Sequence, residues 1–420
     1  MLVDIVVGRD QEDLAKFGTK GCLRIGKHIV GEGEDAHLTN DIMMDVLRPH
    51  IILVLGKRGS GKSYTGGVIA EEILLLPEEI RKNLCCILID IMGIFWSMKY
   101  ANDREFELLV KWNMRPRGFD VRIFVPEGLA ERYERERISF DKTFAINPSE
   151  LTASEWALTF GFSLESSLGV LLERVLKKVR EEIKNFDIDD IIEFIEQDKK
   201  AEEKEKQALI NRFLSAKEWG IFSKRATPIE EFLEPGSANV IDVSLQDWNV
   251  RNLMVGILAK KIYELRMYSR RREEISIIEG VERKKLPAVW IIIDEAHEFL
   301  PDSGKTAASD ALLTLVRQGR QPGITCVFIT QRPNKLHEDA ISQADLIISH
   351  RLTSKPDLDA LSQIMQTYLL EDIRKSISQL PRKKGVAIIL DDNSERLYKV
   401  QIRPRYSWHA GGSPLVVREL

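Results

Sequence analysis

Cysteine is scarce in this chain, with four in 420 residues: Cys22, the adjacent Cys85 and Cys86, and Cys326. No two stand at C-x-x-C spacing and three lie inside strand-like apolar runs, so they read as small buried apolar residues rather than disulfides or zinc ligands. Long hydrophobic runs are also missing. None approaches the ~20 residues a membrane span requires, and Asp4, Arg9 and Asp10 break the N-terminus where a signal peptide needs an apolar stretch. A cytoplasmic protein without membrane contact is expected. An excess of one charge is absent as well: 61 basic against 65 acidic residues leave a net charge of −4, so any nucleic-acid contact must be local, in a pore or patch. No internal repeat or low-complexity tract is evident. What remains, 44% hydrophobic over this length, is enough for a large core, expected as one big domain with an insertion or small flanking modules.

Against that background, Gly56-Lys57-Arg58-Gly59-Ser60-Gly61-Lys62-Ser63 stands out. It follows the apolar run Ile51 to Leu55 and opens a helix-like pattern from Tyr64 to Leu76, the strand and helix that a P-loop requires and a glycine-rich surface loop does not. The glycines let successive backbone N–H groups point at phosphate, and the helix N-terminus adds partial positive charge. Lys62 is placed to reach the β- and γ-phosphates of ATP, and Ser63 to hold Mg2+ through its hydroxyl. The cofactor-binding candidates are therefore Gly56 through Tyr64.

The rest of the chain reads as an α/β core interrupted once. Within residues 1–48, Gly21 to Val30 and His37 to Val46 alternate around a Gly31-Glu32-Gly33 turn, which predicts a small β element, a hairpin or reduced barrel-like cap. Residues 49–148 form the first part of the core, with Cys85 to Asp90 and Val121 to Val125 as strands of a mostly parallel sheet. From 149 to 237 the pattern turns helical, as in Ser163 to Ile183 and Ile188 to Trp219, with Lys199, Glu202, Glu203 and Lys204 marking a solvated face. The core resumes over 238–402 with a strand at Asn239 to Val243 and a helix from about Arg251 to Arg272. A flexible charged loop is expected from Arg270 to Lys285, where basic residues alternate with Glu273, Glu274, Glu279 and Glu282. A C-terminal tail occupies 403–420.

Val289-Trp290-Ile291-Ile292-Ile293-Asp294-Glu295 is the second strong motif. An apolar strand ending in Asp-Glu sets two carboxylates at the carboxyl edge of the sheet, where open α/β folds bind ligands. Beside a P-loop this reads as a Walker B pair: Asp294 takes a magnesium-bound water, and Glu295 orients and deprotonates the water attacking the γ-phosphate. Asp294-Glu295-Ala296-His297 also spells the box of a large helicase class, but Met92 to Tyr100 holds no second motif of that class and no tandem core follows. A single-core motor completes its site with an arginine from a neighbour. Arg317 and Arg320, at the end of a helix, suit that role, and equally suit offsetting the helix dipole. The next apolar run, Ile324 to Thr330, leads into Gln331-Arg332-Pro333. Such a strand belongs beside Walker B, where Thr330 or Gln331 can sense the γ-phosphate.

The P-loop, D-E-A-H-E-F-L-P, R-Q-G-R-Q-P-G-I and the strand ending T-Q-R-P together resemble the HerA/FtsK superfamily of hexameric DNA-pumping ATPases, and most of all its HerA branch. The resemblance covers roughly residues 40–100 and 239–405. It implies a RecA-like P-loop NTPase core and a homohexamer threading duplex or single-stranded DNA through its pore. It assigns Lys62 and Ser63 to phosphate and magnesium, Asp294 and Glu295 to Walker B, Gln331 to the sensor and Arg320 to the trans finger. Asp90 matches an acidic residue ending the family's second core strand. The segment from Val400 to Gly412 is similar to tails that run over the neighbouring subunit's nucleotide site, which makes Arg403 and Arg405 candidates for contacting nucleotide. Two features depart from the pattern: the full N-terminal barrel through which HerA docks a nuclease is reduced here, and Ile91 to Trp96 replaces an acidic and aromatic turn. The expected function is an ATP-hydrolysing DNA translocase or helicase working with a nuclease or other effector in DNA processing, repair or defence. A second reading is an ATP-gated platform that activates an effector without translocating. A conjugation-type coupling protein is a third, disfavoured by the missing membrane segment.

Overall fold

The computed structural model describes residues 4–31, 35–281, 285–364, 377, 380–381 and 383–412. Its frame is one sheet of thirteen strands in the order β1-β3-β2-β13-β12-β11-β4-β10-β9-β5-β8-β6-β7. In chain order these are β1 (Ile5–Val7), β2 (Cys22–Val30), β3 (His37–Asp45), β4 (Ile51–Leu55), β5 (Leu84–Asp90), β6 (Val121–Pro126), β7 (Lys142–Phe144), β8 (Ala238–Asp242), β9 (Ala288–Ile293), β10 (Ile324–Thr330), β11 (Leu346–His350), β12 (Val386–Asp391) and β13 (Arg396–Ile402). From β11 to β7 every neighbouring pair is parallel.

The parallel strands are buried on both faces, which is why they read as unbroken apolar runs. Alternate residues serve opposite layers. Ile51, Leu53, Leu55, Ile87 and Ile291 belong to one core cluster and Ile52, Val54, Leu88 and Ile292 to the other. The second layer takes in Val68 and Ile69 of helix α1 (Lys62–Leu75). The first holds four helices of the middle segment, α2 (Ala153–Phe160), α3 (Ser167–Glu182), α4 (Ile188–Glu196) and α5 (Glu203–Glu218), anchored by the fully buried Trp156. The helical run expected from Ile188 to Trp219 is broken at Asp198, whose carboxylate accepts from the N–H groups of Lys200 and Ala201 and pairs with Arg174 at 2.7 Å. All four cysteines are buried and free, and Lys199, Glu202, Glu203 and Lys204 are exposed.

Three expectations need correction. The N-terminal hairpin is not a separate cap: β2 pairs antiparallel with β13, extending the central sheet. Gly26 permits this, since a Cβ there would lie 2.2 Å from the Gln401 carbonyl oxygen. Glu32 and Gly33 of the expected turn lie outside the described residues. The supposed loop after Arg270 is the last third of helix α6 (Trp248–Glu279), which ends on a left-handed Gly280. Its interleaved charges are helix-supporting pairs, Arg270 with Glu273 and with Glu274, at the three- and four-residue spacings that face each other. Glu282 is outside the described residues. Finally, β1, β7 and β11 to β13 were not marked in the sequence, although β11 flanks the P-loop strand directly.

Candidate nucleotide site

Strand β4 delivers the P-loop at the carboxyl edge of the sheet, and β10 lies between it and β9. Gly59 and Gly61 take left-handed backbone angles, φ +74° and +111°, and a Cβ on Gly56 would come within 2.7 Å of His350 Cβ. Helix α1 starts at Lys62 with no side-chain cap and no acidic residue in its first turn. Its free N–H groups and positive dipole end therefore face the loop, an arrangement suited to an anion. Arg58 is exposed, whereas Lys62 is buried with Nζ 3.4 Å from the Lys57 carbonyl. Burial pushes its pKa down, opposed by Glu295 and Asp294.

Those carboxylates follow β9. Asp294 is buried, and its raised pKa reflects desolvation, moderated by a hydrogen bond from the Ser63 hydroxyl. Glu295 has φ +48° and ψ +45°, a left-handed conformation that is costly for a residue with a side chain. Burial first, then the charge of Asp294, lifts its carboxyl pKa to about 7, and the Gln331 backbone N–H works in the other direction. A carboxylate tuned to that range can take a proton at neutral pH. Glu295 Oε2 and Ser60 Oγ are buried without hydrogen-bond partners among the described residues. The uncapped helix, these orphan polar atoms and the Ser63–Asp294 pair fit a nucleoside triphosphate with Mg2+.

A cavity of about 480 Å³ opens beside the loop, lined by Gly59, Lys62, Tyr64, Leu108, Trp112 and Trp408 among others. Tyr64 donates its hydroxyl hydrogen to Glu105 at 2.8 Å and accepts from the Arg405 N–H at 2.6 Å. Asn102 and Arg104 line this cavity as well, so the segment from Trp96 to Arg104 sits by the nucleotide site, with Trp96 packed edge-on to Trp408.

Two arginines behave otherwise than expected. The guanidinium groups of Arg403 and Arg405 are fully buried against the equally buried Glu71 of α1, Arg403 at 2.8 Å and Arg405 at 3.3 Å, and Arg403 also meets Glu72 at 2.7 Å. Their charges are spent inside the fold, so they staple the tail to α1 rather than offering cations to nucleotide. Up to Gly412 the tail lines the cavity of its own subunit. Residues 413–420 of the expected tail lie outside the described residues.

Gln331 follows β10 directly, within reach of Glu295 through its backbone. Arg317 is tied to Asp339 at 2.7 Å, whereas Arg320 is half-exposed and held loosely, 3.3 Å from the Gln343 carbonyl and 3.5 Å from Asp345. Asp90 is paired in register with Asp242 of β8 and accepts from the N–H groups of Ile94 and Phe95 at 2.8 and 2.7 Å, so it builds the loop that replaces the family's acidic turn.

Sequence reasoning passed over two histidines. His350 Nε2 meets the Thr65 hydroxyl at 2.9 Å and its Nδ1 meets the Val386 carbonyl at 3.1 Å; burial holds its pKa down at about 4. His297 Nδ1 lies 2.9 Å from Thr330 Oγ1. His297 was visible inside D-E-A-H, but no sequence signal pairs it with Thr330.

The family model described as the central domain of helicase HerA matches residues 23–262. The DNA double-strand break repair helicase HerA of Sulfurisphaera tokodaii is 23% identical over 97% of this chain and 74% of that protein. Its counterpart from Pyrococcus furiosus is 30% identical over 38% of this chain, but that match spans only 31% of that protein. Among solved structures, VirB4 of Thermoanaerobacter pseudethanolicus superposes with a TM-score of 0.51 at 14% identity, over 90% of this chain and 96% of that one, a likeness of fold. With a RecA-like P-loop core in place and a family model matching more than half of its length, the chain belongs to the HerA helicase family.

Proposed function

We propose that this protein is an ATP-hydrolysing motor that moves DNA through a homohexameric ring. The observation that carries the reading is the convergence of Lys62, Ser63, Asp294 and Glu295 at one sheet edge, with the Gln331 strand β10 between the two motif-bearing strands. Lys62 and the loop N–H groups bind the phosphates. Ser63 and Asp294 would hold Mg2+, which would supply charge neutralisation on the phosphates. Glu295 orients the attacking water and accepts its proton, Gln331 senses the γ-phosphate, and Arg320 of the partner subunit offsets the charge that develops on it. Loss of the γ-phosphate changes the contacts of Gln331 and Arg320, and that change moves DNA held by its phosphates.

Residues 49–148 and 238–402 make up the core, with 149–237 inserted. A motor using ATP on DNA works in the cytoplasm, and among the described residues no helix is long and apolar enough to cross a membrane. The relatives are named for double-strand break repair, which makes a nuclease the natural effector. The test is steady-state ATP hydrolysis with and without linear duplex or single-stranded DNA, across a salt series. Stimulation that fades with salt and vanishes in Lys62→Ala and Glu295→Gln supports the motor. Lys62-dependent hydrolysis indifferent to both DNAs would overturn translocation and favour a platform.

A further inference from the structure

His297 is not accounted for by the roles given above, yet it stands at their junction. Ile293 of β9 is paired with Phe328 of β10, so two residues further along, Glu295 and Thr330 leave the sheet at the same level. The short turn Ala296–Glu298, entered through the left-handed Glu295, folds the imidazole of His297 back across the gap between the strands. His297 Nδ1 lies 2.9 Å from Thr330 Oγ1 and 3.5 Å from Glu295 Oε2. Thr330 is itself fixed, being fully buried and accepting the Arg332 N–H at 3.0 Å. Glu295 Oε2 has no hydrogen-bond partner among the described residues.

We propose that His297 is a positioning residue for Glu295, its Nδ1 forming a swivel between the terminus of β10 and the carboxylate that activates water. The ring is neutral, since burial together with the nearby Arg332 and Lys62 charges takes its pKa down to about 4. A neutral imidazole presents one N–H and one lone pair. With the hydrogen on Nδ1 the ring can donate to the Thr330 hydroxyl oxygen or lean toward the carboxylate, and it adds no charge to a site already holding Lys62. Gln331 is the residue next to Thr330, so any displacement of the strand end that follows loss of the γ-phosphate reaches Glu295 through His297. The swivel gives a physical reason for the left-handed Glu295: with ordinary helical angles at that residue the turn would not bring residue 297 back beside residue 295. Thr330 and His297 act through Glu295, which makes them positioning residues rather than catalytic ones.

The inference rests on Glu295 being the base, and the experiment separates the two. His297→Ala is expected to lower kcat about a hundredfold while leaving KM and the affinity for a non-hydrolysable ATP analogue unchanged. His297→Asn, whose amide nitrogen or oxygen falls at the position of Nδ1, should restore most of the rate, and His297→Gln, which reaches the position of Nε2, should not. Thr330→Val removes the other end of the contact in a shape-conserving way, and its effect should be non-additive with His297→Ala. The unchanged analogue binding shows that each variant is folded. Parental kcat in His297→Ala, equal rescue by Asn and Gln, or strict additivity with Thr330→Val would each overturn the swivel. Parental turnover in Glu295→Gln would instead remove the base assignment itself.

Discussion

Arg403 Nη1 stands 2.8 Å from Glu71 Oε2 with neither side chain exposed to solvent, although 332 residues separate them in the chain. Glu71 also receives the N–H groups of Tyr406 and Ser407 and the Ser407 hydroxyl. One carboxylate thus ties the start of the tail, Arg403 to Ser407, to the P-loop helix. Removing one partner of a buried pair strands the others without water, so Glu71→Ala should cost about 3 to 5 kcal/mol, read as a shift of the urea midpoint. A loss below about 1 kcal/mol would show that the tail is not anchored there.

His50 makes a second weld, between the N-terminal strands and the core. Its ring is buried between Asp345 at 2.8 Å and Asp45 at 3.2 Å. Burial opposes the charged ring, but the two carboxylates overcome it and lift the pKa from 6.5 to about 9. A raised pKa means the folded state holds a proton that the unfolded chain releases. The stabilisation is therefore complete below pH 6.5 and disappears as the pH climbs to about 9. From that shift it amounts to roughly 3 kcal/mol. Unfolding by urea at about pH 6 and about pH 9.5 should show a steeper loss in the parent than in His50→Gln; parallel slopes would refute the charged His50.

The parts legible in the sequence were those where local chemistry and fold agree. Strands β4, β5, β9 and β10 are buried on both faces, so each spells a continuous apolar run, and the P-loop must carry glycine and lysine wherever it occurs. What escaped notice depends on partners distant in the chain. Arg403 and Arg405 look like surface arginines until Glu71 is beside them. The hairpin looked separate because its bond to β13 runs through backbone, which leaves no side-chain pattern. In α6, alternating charges resembled a solvated loop because the periodicity of ion pairs is weaker than that of apolar residues.

His350 supports the P-loop from behind. Its Nδ1–H donates to the Val386 carbonyl and its Nε2 accepts from Thr65, while Gly56 lies against its Cβ. His350→Ala takes the imidazole donor from the buried Val386 carbonyl, leaves the Thr65 hydroxyl with the Gly61 carbonyl at 3.1 Å and opens space under the loop, at a cost of about 1 to 3 kcal/mol. The expected signature is weaker ATP-analogue binding, with His350→Asn, which keeps the Val386 bond, falling between parent and Ala. Equal nucleotide affinity in all three proteins would remove His350 from the support of the site.

Arg317 and Arg320 can be told apart by what already holds them. Arg317 is committed to Asp339, while Arg320 is half-exposed with only long contacts to Gln343 and Asp345. A residue proposed to enter a neighbour's site has to be free to leave its own, and of the two Arg320 is the less tightly held. Arg320→Ala should reduce ATP turnover about a thousandfold or more with analogue binding intact, and Arg317→Ala far less. The stronger check mixes two inactive proteins, Arg320→Ala and Lys62→Ala, after subunit exchange. Wherever an Arg320→Ala subunit presents its intact Lys62 site to a Lys62→Ala subunit, that partner supplies an intact Arg320, so turnover should reappear. If Arg320 acted within its own subunit, every copy in the mixed ring would lack one of the two groups, and the mixture would stay inactive.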